Sequence, residues 1–213
     1  MKSKYIILLI IAGFFSLSLN GCSLLRKRVD KTEKVEYKIN GRNKTAIYVD
    51  NTSGKINVIR SADTLGMITI EAVKSAYVRV DDLDKPIEDV NVKLDTNSSE
   101  VKIETEIKNS HGFFRKNHGA EVDYDIKVPA NLKVNVENVN GAITITRIDN
   151  DINAETVNGS INISGCPGIV VVNGVNGKVT CNIDSLTGGI SVDVVNGSVN
   201  IGGLKNVNAN VDA

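Results

Sequence analysis

"ETVNGSINI" (155–163) decides how this chain is read, because variants of it recur as "ENVNGAITI" (137–145), "NGVNGKVTC" (173–181) and "DVVNGSVNI" (193–201). The motif glycines, Gly141, Gly159, Gly177 and Gly197, are spaced 18, 18 and 20 residues apart. So short a fixed period signals a repeat architecture. Ile143, Ile161, Val179 and Val199 follow the glycine by two, and Ile145, Ile163, Cys181 and Ile201 by four. Between them stand Thr144, Asn162, Thr180 and Asn200. Such period-two alternation makes a β-strand with one buried face. A second strand per repeat is marked by Ile152 and Ala154, Val170 and Val172, and Ile190 and Val192, and a corner position by Ile148, Cys166, Leu186 and Leu204. Val139, Val157, Val175 and Val195, which precede each Asn, are read as part of the inward set.

The pairs Asn140-Gly141, Asn158-Gly159, Asn176-Gly177 and Asn196-Gly197 are read as structural turns. Gly takes positive φ without steric cost, and Asn tolerates the left-handed region better than most residues. The expected fold is all-β, a single-stranded right-handed β-helix (β-solenoid) of 18–20-residue coils. Asn-Gly is also the strongest short hairpin signal, so the alternative is an antiparallel β-meander or sandwich of Asn-Gly hairpins. Hairpins, however, would set Asn138 against Ile143 and Thr156 against Ile161. The same grammar appears earlier in "YVDNTSGKINVI" (48–59), and longer alternating runs such as "MITIEAV" and "VKIETEI" follow. Residues 41–131 are therefore expected to form irregular β-coils or a capping sheet, continuous with the regular section at 132–213. The final "NVNANVDA" alternates like a strand but lacks a further Asn-Gly, which leaves the last coil incomplete, truncated or completed by a partner.

Residues 1–21 carry Lys2 and Lys4, then an apolar run, then small and polar residues. That run is about 11 residues, short of the ~20 that span a bilayer, so it reads as a cleaved signal peptide. Leu19-Asn20-Gly21-Cys22 resembles the lipobox of bacterial lipoproteins, which implies cleavage before Cys22 and lipidation of its thiol. Cys22 and the charged stretch to residue 40 are expected to be a flexible tether. Arg26, Lys27 and Arg28 in it suit an anionic leaflet. Cleavage removes two lysines and no acid, so 25 basic against 25 acidic residues becomes 23 against 25, a net charge of −2. That balance argues against nucleic acid as a partner.

"VDYDIKVPANLKVNVENVNGAITI" (122–145), an acidic alternating strand, Val-Pro, a short turn and then the first glycine repeat, resembles the toastrack or adhesin-like domain family of bacterial envelope proteins. The resemblance covers residues 45 to 213 in pattern. It implies a right-handed β-helix outside the cytoplasm, an association with envelope stress systems, and no transferable catalytic residues.

The chemistry-bearing residues are few. His111 and His118 share the loop "NSHGFFRKNHG" (109–119) at a spacing that is weak for a metal. Phe113, Phe114, Arg115 and Lys116 in that loop, an apolar pair beside two cations, are the candidate interaction loop for a membrane surface or partner protein. Cys166 and Cys181 act as small core residues on different inward ladders, and no His lies nearby to activate either. Asp149, Asp151, Asp184 and Asp193 occupy unlike repeat positions, and Trp is absent, so a polysaccharide-active β-helix enzyme is the least favoured reading. No cofactor or metal is expected. The sequence thus points to a non-enzymatic, lipid-anchored envelope module for interaction or sensing, with a surface adhesin for host or neighbouring cells as the alternative. Its expected contacts are the membrane through Cys22, and envelope proteins, peptides or cell-wall glycans.

Overall fold

A computed structural model describes residues 9–11, 28–79, 90–107, 119–183, 185 and 187–203. Among these the chain is all-β, with no helix and one curled 14-stranded sheet. In the repeat region β9 (Lys133–Asn140), β11 (Ile152–Asn158) and the first half of β13 (Val170–Asn182) run parallel, with Ile152 beside both Val134 and Val170. The strands after the bend, β10 (Ile143–Thr146) and β12 (Ile161–Ser164), stack in the same way, with Ile161 beside Ile143 and Val179. Along its whole length β14 (Ile190–Gly202) lies on β13, 20 residues out of step. Each repeat therefore rests on the one before it, like residue over like residue. Hairpins would pair the two flanks of each Asn-Gly antiparallel, and the repeats pair parallel instead, so the meander of Asn-Gly hairpins is not the arrangement found.

The earlier Gly54 motif belongs to the same stack. β3 (Ala46–Ser53) pairs in parallel with β9, and β4 (Ile56–Arg60) with β10. Beyond them the regularity relaxes. β7 (Glu100–Ile107) lies parallel to β3, and β6 (Val90–Thr96) antiparallel to β7. On the other side β8 (Gly119–Val128) lies parallel to β4. There β5 (Met67–Arg79), β2 (Arg28–Asn40) and β1 (Leu9–Ile11) add antiparallel strands in turn. Residues 28–40, expected to be tether, are thus a strand. Their charges mask a real alternation: Val35, Tyr37 and Ile39 turn to the core, while Lys34 pairs with Glu71 and Glu33 with Lys74 across to β5.

The core is a set of aliphatic ladders: Ile143, Ile145, Ile161 and Ile163 after the bend, and Val134, Val136, Ile152, Ala154, Val170 and Val172 before it, all buried. Burying each such valine or isoleucine contributes about 1.5–3 kcal/mol. Ile148 and Cys166 fill the corner as expected, whereas Leu186 and Leu204 lie outside the described residues. Val199 and Ile201 are partly exposed, at 47% and 42%, because no described strand covers β14.

Two expectations about the motif are corrected. Val139, Val157, Val175 and Val195 do not fill the core; they are 40–71% exposed. Alternation along β9 points Val134, Val136 and Asn138 inward, so Val139 faces out, and the bend then resets the phase to bury Ile143. The inward place before the bend is polar, with Asn51, Asn138 and Thr156 all buried. Asn51 Nδ2 donates to Val122 O at 2.9 Å and Asn138 Nδ2 to Gly54 O at 2.9 Å, satisfying carbonyls near the bends.

The second correction concerns why the motif is Asn-Gly. Gly141 and Gly177 have φ of +134° and +152°, but Gly159 and Gly197 lie outside that left-handed range. What all of them share is closeness. A Cβ on Gly159 would stand 1.9 Å from Gly141 O, one on Gly177 1.8 Å from Gly159 O, and one on Gly197 1.7 Å from Gly177 O. The glycine column lets successive bends stack backbone on backbone. None of the Asn residues is left-handed; they form an amide ladder, in which Nδ2 of Asn158, Asn176 and Asn196 donates to Oδ1 of Asn140, Asn158 and Asn176 at 3.0, 2.9 and 3.2 Å. Side-chain amide ladders of this kind also reinforce cross-β stacks.

Candidate functional site

In-register stacking turns each repeat position into a column on the surface. On the outer face of β3, β9, β11, β13 and β14 one column reads Asp50, Glu137, Glu155, Asn173 and Asp193, each beside the next, with Glu104 of β7 beside Asp50. Two residues further along the strands runs the column Val139, Val157, Val175 and Val195, and the Asn ladder borders it. Columns two residues apart lie about 6.6 Å from each other, and neighbours within a column about 4.8 Å. Glu155 Oε1 accepts hydrogen bonds from Nδ2 of Asn153 and Asn173, each at 3.2 Å. Glu104 pairs with Lys102, which lowers its carboxyl below the usual range.

The outer face beyond the bend carries Thr144, Asn162, Thr180 and Asn200 in register, the polar members of the alternation, as a strip. It continues to Asn57, whose Nδ2 donates to Asp125 Oδ1 at 2.8 Å. At the rim, Tyr48, Asp95, Asn97, Glu100 and Lys102 line an open hollow of about 380 Å³.

The aspartates weighed for catalysis do not come together. Asp149 pairs with Arg60 at 3.4 Å, Asp151 Oδ1 accepts from Ile169 N, Asp193 stands in the acidic column, and Asp184 lies outside the described residues. Among the described residues no group of three or more His, Cys, Asp or Glu could hold a metal. Cys22, Phe113, Phe114, Arg115, Lys116, His111 and His118 also lie outside the described residues.

Cys166 and Cys181 are free and buried. Burial raises both thiols, Cys181 to about 11, with the nearby Cys166 adding to the rise. Thiolate is the reactive form. Both cysteines are therefore expected to resist iodoacetamide at pH 8 in the folded protein and to react fully in denaturant, as read by mass spectrometry. Rapid labelling of the folded protein would contradict their placement.

Sequence reasoning missed the valine and acidic columns as a surface. The signal was present in the valines' parity relative to Val134 and Val136, but the motif's apparent unity concealed the phase reset at the bend.

The described residues define an all-β protein in which the repeat strands stack parallel and in register, with antiparallel strands added at either side. No family model matches the chain, and no curated protein matches it. Among solved structures, it is similar to a "putative cell adhesion protein" from Clostridium sporogenes, at 13% identity and a TM-score of 0.48, over 82% of this chain and 99% of that one. It is also similar to a "putative adhesin" from Bacteroides fragilis, at 12% identity and a TM-score of 0.26, over 85% of this chain and 100% of that one. A "putative adhesin" from Parabacteroides merdae is similar at 11% identity and a TM-score of 0.24, over 81% of this chain and 95% of that one.

Proposed function

We propose that this protein is a lipid-anchored, extracytoplasmic interaction module: a right-handed β-helix that presents ladders of side chains to a partner in the cell envelope. The observation that carries the reading is the exposed valine column Val139, Val157, Val175 and Val195, held in register on a rigid stack. Exposed contiguous apolar surface marks interaction sites. The lipobox resemblance at Leu19–Cys22 supports the anchor. Because β2 begins at Arg28, only residues 23–27 separate the domain from Cys22. Five extended residues reach about 17 Å. The module therefore rides close to the lipid surface rather than on a long stalk. Cleavage before Cys22 removes β1 and leaves β2 as the outer strand on that side.

The test is fractionation and cross-linking in the native cell type. Wild type should appear in membranes with diacylglyceryl mass on Cys22, and Cys22→Ser should release a folded domain to the soluble fraction. Cross-linking should trap the domain on an envelope partner. A soluble wild type without lipid, or a domain that traps no partner, would count against the proposal.

A further inference from the structure

We infer that the outer face of β9, β11, β13 and β14 docks a basic amphipathic segment of a partner protein, with apolar residues on the valine column and Lys or Arg on the acidic one. The inference rests on the interaction-module reading and names the partner's chemistry. Two observations carry it. Val139, Val157 and Val175 are each about 40% exposed and Val195 71%, so an apolar stripe crosses β9, β11, β13 and β14 without cover among the described residues. Beside it Asp50, Glu137 and Glu155 stand directly next to one another in register, and Asp193 follows across Asn173. Like charges directly opposite one another on a sheet are destabilising. No Lys or Arg forms an ion pair with any of these four carboxylates among the described residues.

Stripe and charge together specify the occupant. A neutral apolar partner would leave the carboxylates half-desolvated and unpaired, whereas a purely cationic one would leave the valines wet. A segment with both chemistries on adjacent sides, running along the stack, meets both columns at once. The charges would set its orientation and speed its arrival, and the valines would hold it. Glu155, fixed by Asn153 and Asn173, is the best-ordered carboxylate for a basic residue to meet.

Three synthetic peptides of one length test this: an amphipathic Lys-Leu sequence, the same with Glu for Lys, and the same with Ser for Leu. Titration with chemical-shift mapping should show binding of the Lys-Leu peptide alone, weakening at high salt, with shifts centred on residues 137, 155, 157 and 175. The surface variants Val157→Thr/Val175→Thr and Glu137→Gln/Glu155→Gln should each lower affinity about tenfold or more. The second should also flatten the salt dependence and slightly raise the melting temperature of the free protein. Failure of the Lys-Leu peptide to bind, equal binding of the Glu-Leu peptide, shifts on another face, or unchanged affinity in both folded variants would overturn the inference. An envelope partner cross-linked equally by wild type and both variants would also overturn it while leaving the module reading intact.

Discussion

Gly159→Ala is expected to cost about 3 kcal/mol or more, a large share of the roughly 5–15 kcal/mol that keeps a domain folded. One methyl group does this because its carbon would stand 1.9 Å from Gly141 O and 2.7 Å from Gly141 C. The neighbour is backbone, already fixed by the donation of Gly141 N to Asn158 O at 2.9 Å. Nothing there can rotate away, and moving one bend apart from the next breaks the ladders on both sides. The comparison is Gly189→Ala, where nothing lies within 4 Å of the added carbon. That variant should stay within about 0.5 kcal/mol of wild type. Urea denaturation of the pair measures both, and a Gly159→Ala protein as stable as Gly189→Ala would refute backbone stacking as the reason for the glycine.

The polar column under the bends should give two changes of opposite sign. Asn138→Ala removes the donor to Gly54 O and strands a buried carbonyl, at a cost of about 2 kcal/mol. Thr156, one repeat further on, is equally buried, but where Asn138 leaves only its Oδ1 without a partner, the hydroxyl of Thr156 makes no hydrogen bond at all. Thr156→Val keeps the shape and discards the unsatisfied hydroxyl, so it should stabilise by up to about 1 kcal/mol. Denaturation midpoints decide the matter. A stabilised Asn138→Ala or a strongly destabilised Thr156→Val would show that the hydrogen bonds here are drawn wrongly.

The stack itself was legible in the sequence because it depends on one number. Ile143, Ile161 and Val179 repeat at 18, and only a parallel, in-register arrangement brings such residues together. Gly54 could be added to the series for the same reason. What escaped was parity. The bend consumes residues without completing an alternation, so inward positions after it say nothing about those before it, and the valines were placed on the wrong side. The amide ladder escaped because Asn-Gly has a strong local meaning, a turn, that masked a long-range one between residues 18 apart. β2 was hidden by its charges: Glu33 and Lys34 look like tether until their partners Lys74 and Glu71, about 40 residues away, are found opposite. The candidate surface was illegible on the same account, since a column exists only once the register is known.

Because each repeat meets only its neighbours, size in this protein is counted in whole units. Excising residues 150–167 would join Asp149 to Gly168, the residue stacked against Asn150, and return every later strand to register, one layer of about 4.8 Å shorter. The same cut removes one valine and one carboxylate, Val157 and Glu155, from the outer face. Duplicating the unit would add one of each. Gene duplication thus gives such a protein a graded control over how many contacts it offers, leaving the chemistry of each contact unchanged, so that reach and valency evolve by copying rather than by redesign.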